Sequence, residues 1–465
     1  MPAAAARAED YSGTALTDAV PDLMGIRQAV NAVLAEPLAA KRRSARPPLQ
    51  KLINTLDGFL FTGGKRIRRC RSVRPRPRPL PRGGRRGLAS TRLRSLYEDI
   101  MTEFFLPELP RLLPVAYHPK AAQIEFRSNG WVRRRLDSCF ANEQDLLSFL
   151  RQRNGLYGPL TVPGADEQRA LDVADWYQYV TVIDSSVSDR SALGADEADA
   201  RAVFTGIMAD FHGGGDGNEE LPYGLAGKDL WRRISPGLTP AQIQRFAETL
   251  EAFLRGCATE IRFKLTDRVP DYETCMTVRL DSFGCDFIRL MTEYAAGVDM
   301  TAYDALLADV HTHAMRQMIT VNDLLSWRKE HAEEDKMTLV RVLIEREGLG
   351  LQQSVDRLCE LVEHHERAYL AARDRLLRGP HGTRADIRTY LNGLDHVIGG
   401  SQEFEYLTPR YFGDGYVWDG STSGWISLTA PVTRFRPRPG TDADTEGDTE
   451  PERSTGRRAP SLTRS

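Results

Sequence analysis

The sequence lacks several things, and each absence excludes a class. From Gly58 to Tyr97 there is not one aspartate or glutamate, while arginine recurs throughout. No run of about 18 apolar residues suggests a membrane span, and the N-terminus has no apolar core of a signal peptide. The six cysteines, Cys70, Cys139, Cys257, Cys275, Cys285 and Cys359, show neither CxxC nor zinc-ligand spacing. They read as buried thiols of a reducing compartment rather than a disulfide framework. No train of alternating strands appears. Net charge is only −2, so no global field draws the chain to nucleic acid or a membrane surface. These absences predict a cytoplasmic protein with neither a nucleic-acid partner nor a membrane span.

What is present is helical. The chain has 465 residues, 41% hydrophobic and 27% charged, enough for one large helical domain or two smaller ones. Four segments follow from composition. Residues 1–70 carry helical periodicity from Val20 to Ala40 and from Leu52 to Phe61. Residues 71–96 are Arg/Pro-rich, as in Arg74-Pro75-Arg76-Pro77, and read as a disordered linker. Residues 97–433 form an all-α globular domain. Apolar spacing near 3.6 runs through 176–183, 241–255, 283–296, 305–327, 339–347 and 355–377, with Gly and Pro between. Residues 434–465 are polar and read as a disordered tail.

One helix carries most of the chemistry. Asn322, Ser326 and Glu330 fall at i, i+4 and i+8, on one face of a helix. An amide oxygen, a hydroxyl and a carboxylate make an all-oxygen site of the kind Mg²⁺ accepts, with water and phosphate oxygens completing the octahedron. Lys329 adds an ammonium beside it. By spacing alone, a solvated helix face explains these residues equally well. His311 and His313 sit two apart on the same helix, on different faces, and suit one metal ion poorly.

The pattern Asn322-Asp323-x-x-Ser326-x-x-Lys329-Glu330 resembles the second metal motif of bacterial-type class I terpene synthases. Further segments match that family in order: Phe104-Phe105-Leu106-Pro107-Glu108-Leu109-Pro110 with His118-Pro119, then Arg279, then Arg410-Tyr411. The resemblance spans about residues 97–430. It implies a class I terpenoid synthase α-helical bundle around a central cavity, and an enzyme that ionises a linear isoprenoid diphosphate, such as farnesyl or geranylgeranyl diphosphate, and cyclises the carbocation with release of pyrophosphate. It implies Mg²⁺, three ions in all, and a homodimer.

Carried onto this chain, the resemblance makes Asp184 and Asp189 the first metal motif and Asn322, Ser326 and Glu330 the second. Ser185 stands where the family has a second aspartate, which predicts weaker metal affinity. Arg279, Lys329, Arg410 and Tyr411 are the catalytic, diphosphate-contacting residues. Trp176, Tyr179, Phe204 and Phe283 are candidates for the substrate-binding wall, with Trp327 a further one; taken singly, plain core packing is the favoured reading of each ring.

Phe61-Thr62-Gly63-Gly64-Lys65-Arg66-Ile67-Arg68 resembles the isopentenyl diphosphate segment of trans-polyprenyl diphosphate synthases. That family's two Asp-rich motifs never follow. A prenyltransferase fragment with a disrupted reading frame after it and a true linker are both open readings of 1–96. Besides cyclisation, the sequence leaves prenyl-chain elongation and a catalytically impaired helical protein as alternatives.

Overall fold

The computed structural model describes residues 102–188, 193–211 and 223–437. The prenyltransferase-like segment 1–70, the linker 71–96, Asp189 and the tail beyond residue 437 lie outside them.

In chain order the elements are β1 (Glu103–Leu106), α1 (Ala121–Arg135), α2 (Glu143–Arg151), α3 (Tyr157–Thr161), α4 (Glu167–Ser188) and α5 (Glu197–Phe211). Then come α6 (Gly224–Ile234), α7 (Pro240–Leu265), α8 (Tyr272–Ser282), α9 (Cys285–Ala296) and α10 (Asp304–Leu325). The last are α11 (Trp327–Ala332), α12 (Leu339–Glu345), α13 (Leu351–Arg378), α14 (Ala385–Leu407) and β2 (Gly424–Ser427). The all-α expectation holds. Among the described residues, no helix is long and apolar enough to cross a membrane.

Local chemistry sets the helix boundaries. Thr239 caps α7 in a capping box with Gln242, with Pro240 in the first turn. The Asp271 side chain accepts from Thr274 N and starts α8. Gly284, at φ 74°, breaks the chain between α8 and α9, and Gly297, at φ 69°, ends α9. The periodicity over 283–296 therefore hides a turn: Phe283 caps α8, and α9 begins only at Cys285.

Another boundary moved. The helix read from the apolar spacing over 176–183 continues as α4 to Ser188. Serines back-bond within helices, and Ser186 Oγ donates to Val182 O at 3.0 Å, so the serines do not terminate it. α4 and the C-terminal halves of α10 and α14 are buried on nearly every side and form the inner layer, while α1, α7 and α13 show one polar face.

Two short strands lay outside the helical reading. β1 pairs antiparallel with β2, Glu103 opposite Ser427 and Leu106 opposite Gly424. The free edge of β1 is closed by a side chain: Gln352 of α13 accepts from Phe105 N and donates to Phe105 O, both at 2.8 Å. The fold also runs past the expected boundary at 433. Phe435 is buried against Phe412 and Tyr416, and Arg436 exchanges backbone hydrogen bonds with Trp425 at 2.8 and 3.2 Å.

α14 packs closely against α3 and the segment at Pro114 through small residues. A Cβ on Gly400 would lie 2.2 Å from Leu160 O of α3, and one on Gly399 2.3 Å from Pro114 O. Gly400→Ala is expected to lower the unfolding free energy by about 1–3 kcal/mol through forced separation of backbones. Gly130→Ala, in α1, meets only the end of the Arg134 side chain and is expected to be neutral or to stabilise by up to about 1 kcal/mol. Denaturant unfolding of both variants checks this; equal effects would contradict the close-approach argument.

Candidate active site

α3, α4, α7, α9 and α14, with the ends of α8 and α10, enclose a cavity of about 1170 Å³, its mouth included. Part of the lining is apolar, with Trp176, Phe253, Phe287, Val173, Val397 and Met291 among its residues. Its rings interlock: Trp176 and Phe287 have centroids 4.5 Å apart, and Tyr157 stacks on Tyr177 at 3.8 Å. The rest of the lining is charged, with Asp184, Glu260, Glu330, Asp335 and Glu405 beside Arg279, Lys329 and Arg410.

The second-motif residues share a face although their helix is broken. α10 ends at Leu325 and α11 begins at Trp327, with Ser326 helical in its own backbone angles. Ser326 N donates to Asn322 O at 2.8 Å, and Glu330 N to Ser326 O at 3.0 Å, so the i+4 ladder runs through the break. Ser326 Oγ lies 2.5 Å from Asn322 O, a back-bond of the kind that bends helices. That contact turns the hydroxyl toward its own helix, and Ser326, only 1% exposed, stands behind the cavity wall rather than on it. Glu330 Oε1 lies 2.7 Å from the same hydroxyl.

Arg279, in the last turn of α8, inserts between α7 and α10. Its Nη2 donates to Asn322 Oδ1 at 2.8 Å and to Asp323 Oδ1 at 2.6 Å, and its Nη1 lies 3.8 Å from Glu260 Oε1. Asn322 spends its other amide atoms on Glu405, at 3.2 Å to each carboxylate oxygen, and on Tyr411 Oη at 3.2 Å.

On the opposite wall, Arg410 spans the first motif. Nη2 donates to Asp184 Oδ2 at 2.5 Å, and Nη1 to Ser185 Oγ and Gln152 Oε1, both at 3.0 Å. Ser185 thus accepts a hydrogen bond where the family places a charge. Lys329 reaches the cavity but ion-pairs with Glu333 at 2.8 Å.

Burial dominates the electrostatics. It pushes the Glu260 and Glu405 carboxyls up to about 8 each, against the pull of Arg279 on Glu260 and of the Asn322 hydrogen bonds on Glu405. Burial, with Asp323 adding to it, also raises Glu330 well above the usual carboxylate range. Glu330 Oε2 is buried and accepts no hydrogen bond. A buried carboxylate oxygen without a donor, in a cavity that Asn322 and four further acids also line, offers the oxygen ligands a hard divalent cation takes. The residues present therefore fit such an ion.

Of the predicted site residues, the cavity brings together Asp184, Arg279, Asn322, Lys329, Glu330, Arg410, Tyr411, Trp176 and Phe283. Tyr179 and Phe204 do not line it, nor does Trp327. The lining residues of α4 are Val173, Trp176, Tyr177, Val180, Thr181 and Asp184; at about 100° per residue Tyr179 points roughly 130° away from their centre. Phe204 belongs to α5, which packs outside α6 and α7, and Trp327 turns its ring toward His331. These three are core residues.

The sequence reading missed Tyr177, Phe253 and Phe287 of the wall and the acids Asp323, Glu260, Asp335 and Glu405. Asp323 is fully buried; it ties Arg279 with one oxygen and accepts from Leu339 N at 2.6 Å with the other, capping α12. A signal existed for Glu405, which sits between Phe404 and Tyr406 in a fully buried stretch, and for Glu260, between buried Cys257 and Ile261.

The description "Terpene synthase family 2, C-terminal metal binding" belongs to the family profile that matches residues 175–368. The chain is 26% identical over 327 residues to alpha-muurolene synthase of Coprinopsis cinerea, covering 68% of this chain and 76% of that one. It is 25% identical over 347 residues to spiroviolene synthase of Streptomyces violens, covering 73% of this chain and 95% of that one. Its fold matches germacradien-4-ol synthase from Streptomyces citricolor with a TM-score of 0.56 at 18% identity, over 64% of this chain and 98% of that one. An oxygen-donor site beside an aromatic cavity, the metal-binding profile over residues 175–368 and these relatives make the chain similar to terpene synthases.

Proposed function

We propose that residues 97–433 form an Mg²⁺-dependent terpene cyclase acting on farnesyl or geranylgeranyl diphosphate. The observation that supports it best is the cavity's two kinds of lining: buried acids and guanidinium groups, and a set of interlocking rings.

Asn322 and Glu330 would hold Mg²⁺ on one wall, with Ser326 joining them once its hydroxyl turns from Asn322 O, and Asp184 on the other, with three ions in the full cluster and Asp189 the further acid of the first motif. When bound, Mg²⁺ supplies Lewis-acid stabilisation of the charge that develops on the leaving diphosphate. Arg279 and Arg410, held beside the cavity by Asp323 and Asp184, would offset the charge on the diphosphate. Lys329 lies one residue from Glu330 and adds an ammonium to the same group, and the Tyr411 hydroxyl backs Asn322. Ionisation breaks the allylic C–O bond; the electron pair leaves with the diphosphate and the chain keeps a carbocation. Trp176, Phe283, Phe287 and Tyr177 face that cation with electron-rich rings that stabilise it without attacking it. The apolar wall keeps water from the cation until the ring has formed.

Incubation of the full chain with Mg²⁺ and geranyl, farnesyl or geranylgeranyl diphosphate is expected to give a hydrocarbon or alcohol and free pyrophosphate without isopentenyl diphosphate. Product formed only when isopentenyl diphosphate is added would replace cyclisation with chain elongation. Asn322→Ala and Glu330→Ala are each expected to lower kcat on the order of 100-fold; wild-type turnover in either would sink the ligand assignment.

Ser185 gives a second test. Ser185→Asp adds the missing charge beside Asp184 and is expected to lower the Mg²⁺ concentration for half-maximal activity on the order of tenfold. An unchanged or higher Mg²⁺ requirement would show that the hydroxyl is not a deficit.

A further inference from the structure

Away from the cavity, three histidines meet where α10 packs along α13. His313 projects from α10, and His364 and His365 are neighbours in α13. Adjacent residues diverge by about 100° round a helix, so the latter two flank His313 rather than overlie each other. One ligand nitrogen from each ring can be chosen so that all three lie within 4.8 Å of one another. His313 Nδ1 and His365 Nδ1 are 3.1 Å apart, and the two rings are tilted by 38°.

These spacings suit one ion. Two nitrogens bound at 2.0–2.1 Å in a tetrahedron are about 3.3 Å apart. His313 and His365 already stand near that separation, and His364, exposed at the rim, is free to close in. A simple hydrogen bond between His313 and His365 would account for two rings and leave the third unexplained.

The surroundings permit a dication. Burial, reinforced by the neighbouring imidazoles, pushes His365 down to about 4, so its ring is neutral near pH 7 and offers a lone pair. Two cations stand nearby, Arg316 and Arg375, and each has its own carboxylate: Glu273 at 3.7 Å and Asp309 at 3.1 Å. Imidazole donors favour a borderline ion such as Zn²⁺ and disfavour Mg²⁺, so this cluster and the oxygen-donor mouth select different metals.

We propose that His313, His364 and His365 form a site for a Zn²⁺-type transition-metal ion that clamps α13 to α10, with a fourth position open to solvent. Both donor helices are long and rigidly packed, which is the setting a fixed ligand geometry needs.

The test uses the full chain stripped with a chelator, then dialysed against Zn²⁺ with excess Mg²⁺ and pyrophosphate present to occupy the cavity. One Zn²⁺ per chain is expected, with a rise in Tm. His364→Ala and His313→Ala are expected to weaken Zn²⁺ binding on the order of tenfold or more and to remove the rise in Tm, while Glu330→Ala retains both. Circular dichroism of His364→Ala, altered at an exposed position, verifies that the fold is intact. Absence of stoichiometric Zn²⁺, or Zn²⁺ uptake that survives both histidine substitutions, would overturn the assignment.

Discussion

The buried guanidinium of Arg279 organises the mouth of the cavity. It sits between Asn322 and Asp323, neighbours at the end of α10, and Asp323 passes the connection on to the first amide of α12. One ion pair thereby fixes α8, α10 and α12 relative to each other at the place where Asn322, a proposed metal ligand, emerges. Removing one partner of a buried pair typically costs about 3–5 kcal/mol, because the other charge is left without compensation. The same contact orients the Asn322 amide, whose NH₂ then faces Glu405 and Tyr411. The site is therefore built backward from a salt bridge rather than forward from its ligands.

The second constraint is an imbalance. Five carboxyl groups and three cationic side chains line the cavity, and three of those acids, Glu260, Glu330 and Glu405, have their proton affinity raised by burial. A protein does not gather acids in a partly closed space without something to offset them. Protons can do so, and divalent cations can do so better when an anionic diphosphate arrives with them. The rest of the lining is made of rings and aliphatic groups, so polar recognition and cation handling fall to separate residues of one cavity. A neighbouring pair of breaks serves that separation: Gly284 turns the chain so that Phe283 meets the cavity directly after Arg279, and the Ser326 back-bond bends α10 into α11 between Asn322 and Glu330.

Much of this was legible in the sequence where one residue type at one spacing has one physical meaning. The i, i+4, i+8 placement of Asn322, Ser326 and Glu330 survived the break at Ser326 because the hydrogen-bond ladder continues through it. The Gly and Pro breaks expected between helices held too: Gly297 ends α9, and Pro270 lies between α7 and α8. What the sequence hid depends on the direction of side chains on helices buried all round. On α4, Trp176 and Tyr179 are equally aromatic, and only the helix's rotation sends one to the cavity and the other into the core. Glu260 and Glu405 were overlooked because an acid in an amphipathic pattern reads as a solvated position. The strands were invisible because four residues, Glu103–Leu106 and Gly424–Ser427, are too short to establish alternation and pair across almost the whole domain.

The central claim is that the buried acids are a divalent-cation site completed by diphosphate. Calorimetric titration of pyrophosphate into the protein near pH 7, with and without Mg²⁺ and in two buffers of different ionisation enthalpy, tests it most directly. With their affinity for protons raised to about 8, Glu260 and Glu405 are largely protonated at that pH; a dication nearby lowers both and expels protons. The account predicts tight pyrophosphate binding only with Mg²⁺, accompanied by net proton release to the buffer. Equal affinity without Mg²⁺, or binding with no proton released, would contradict it.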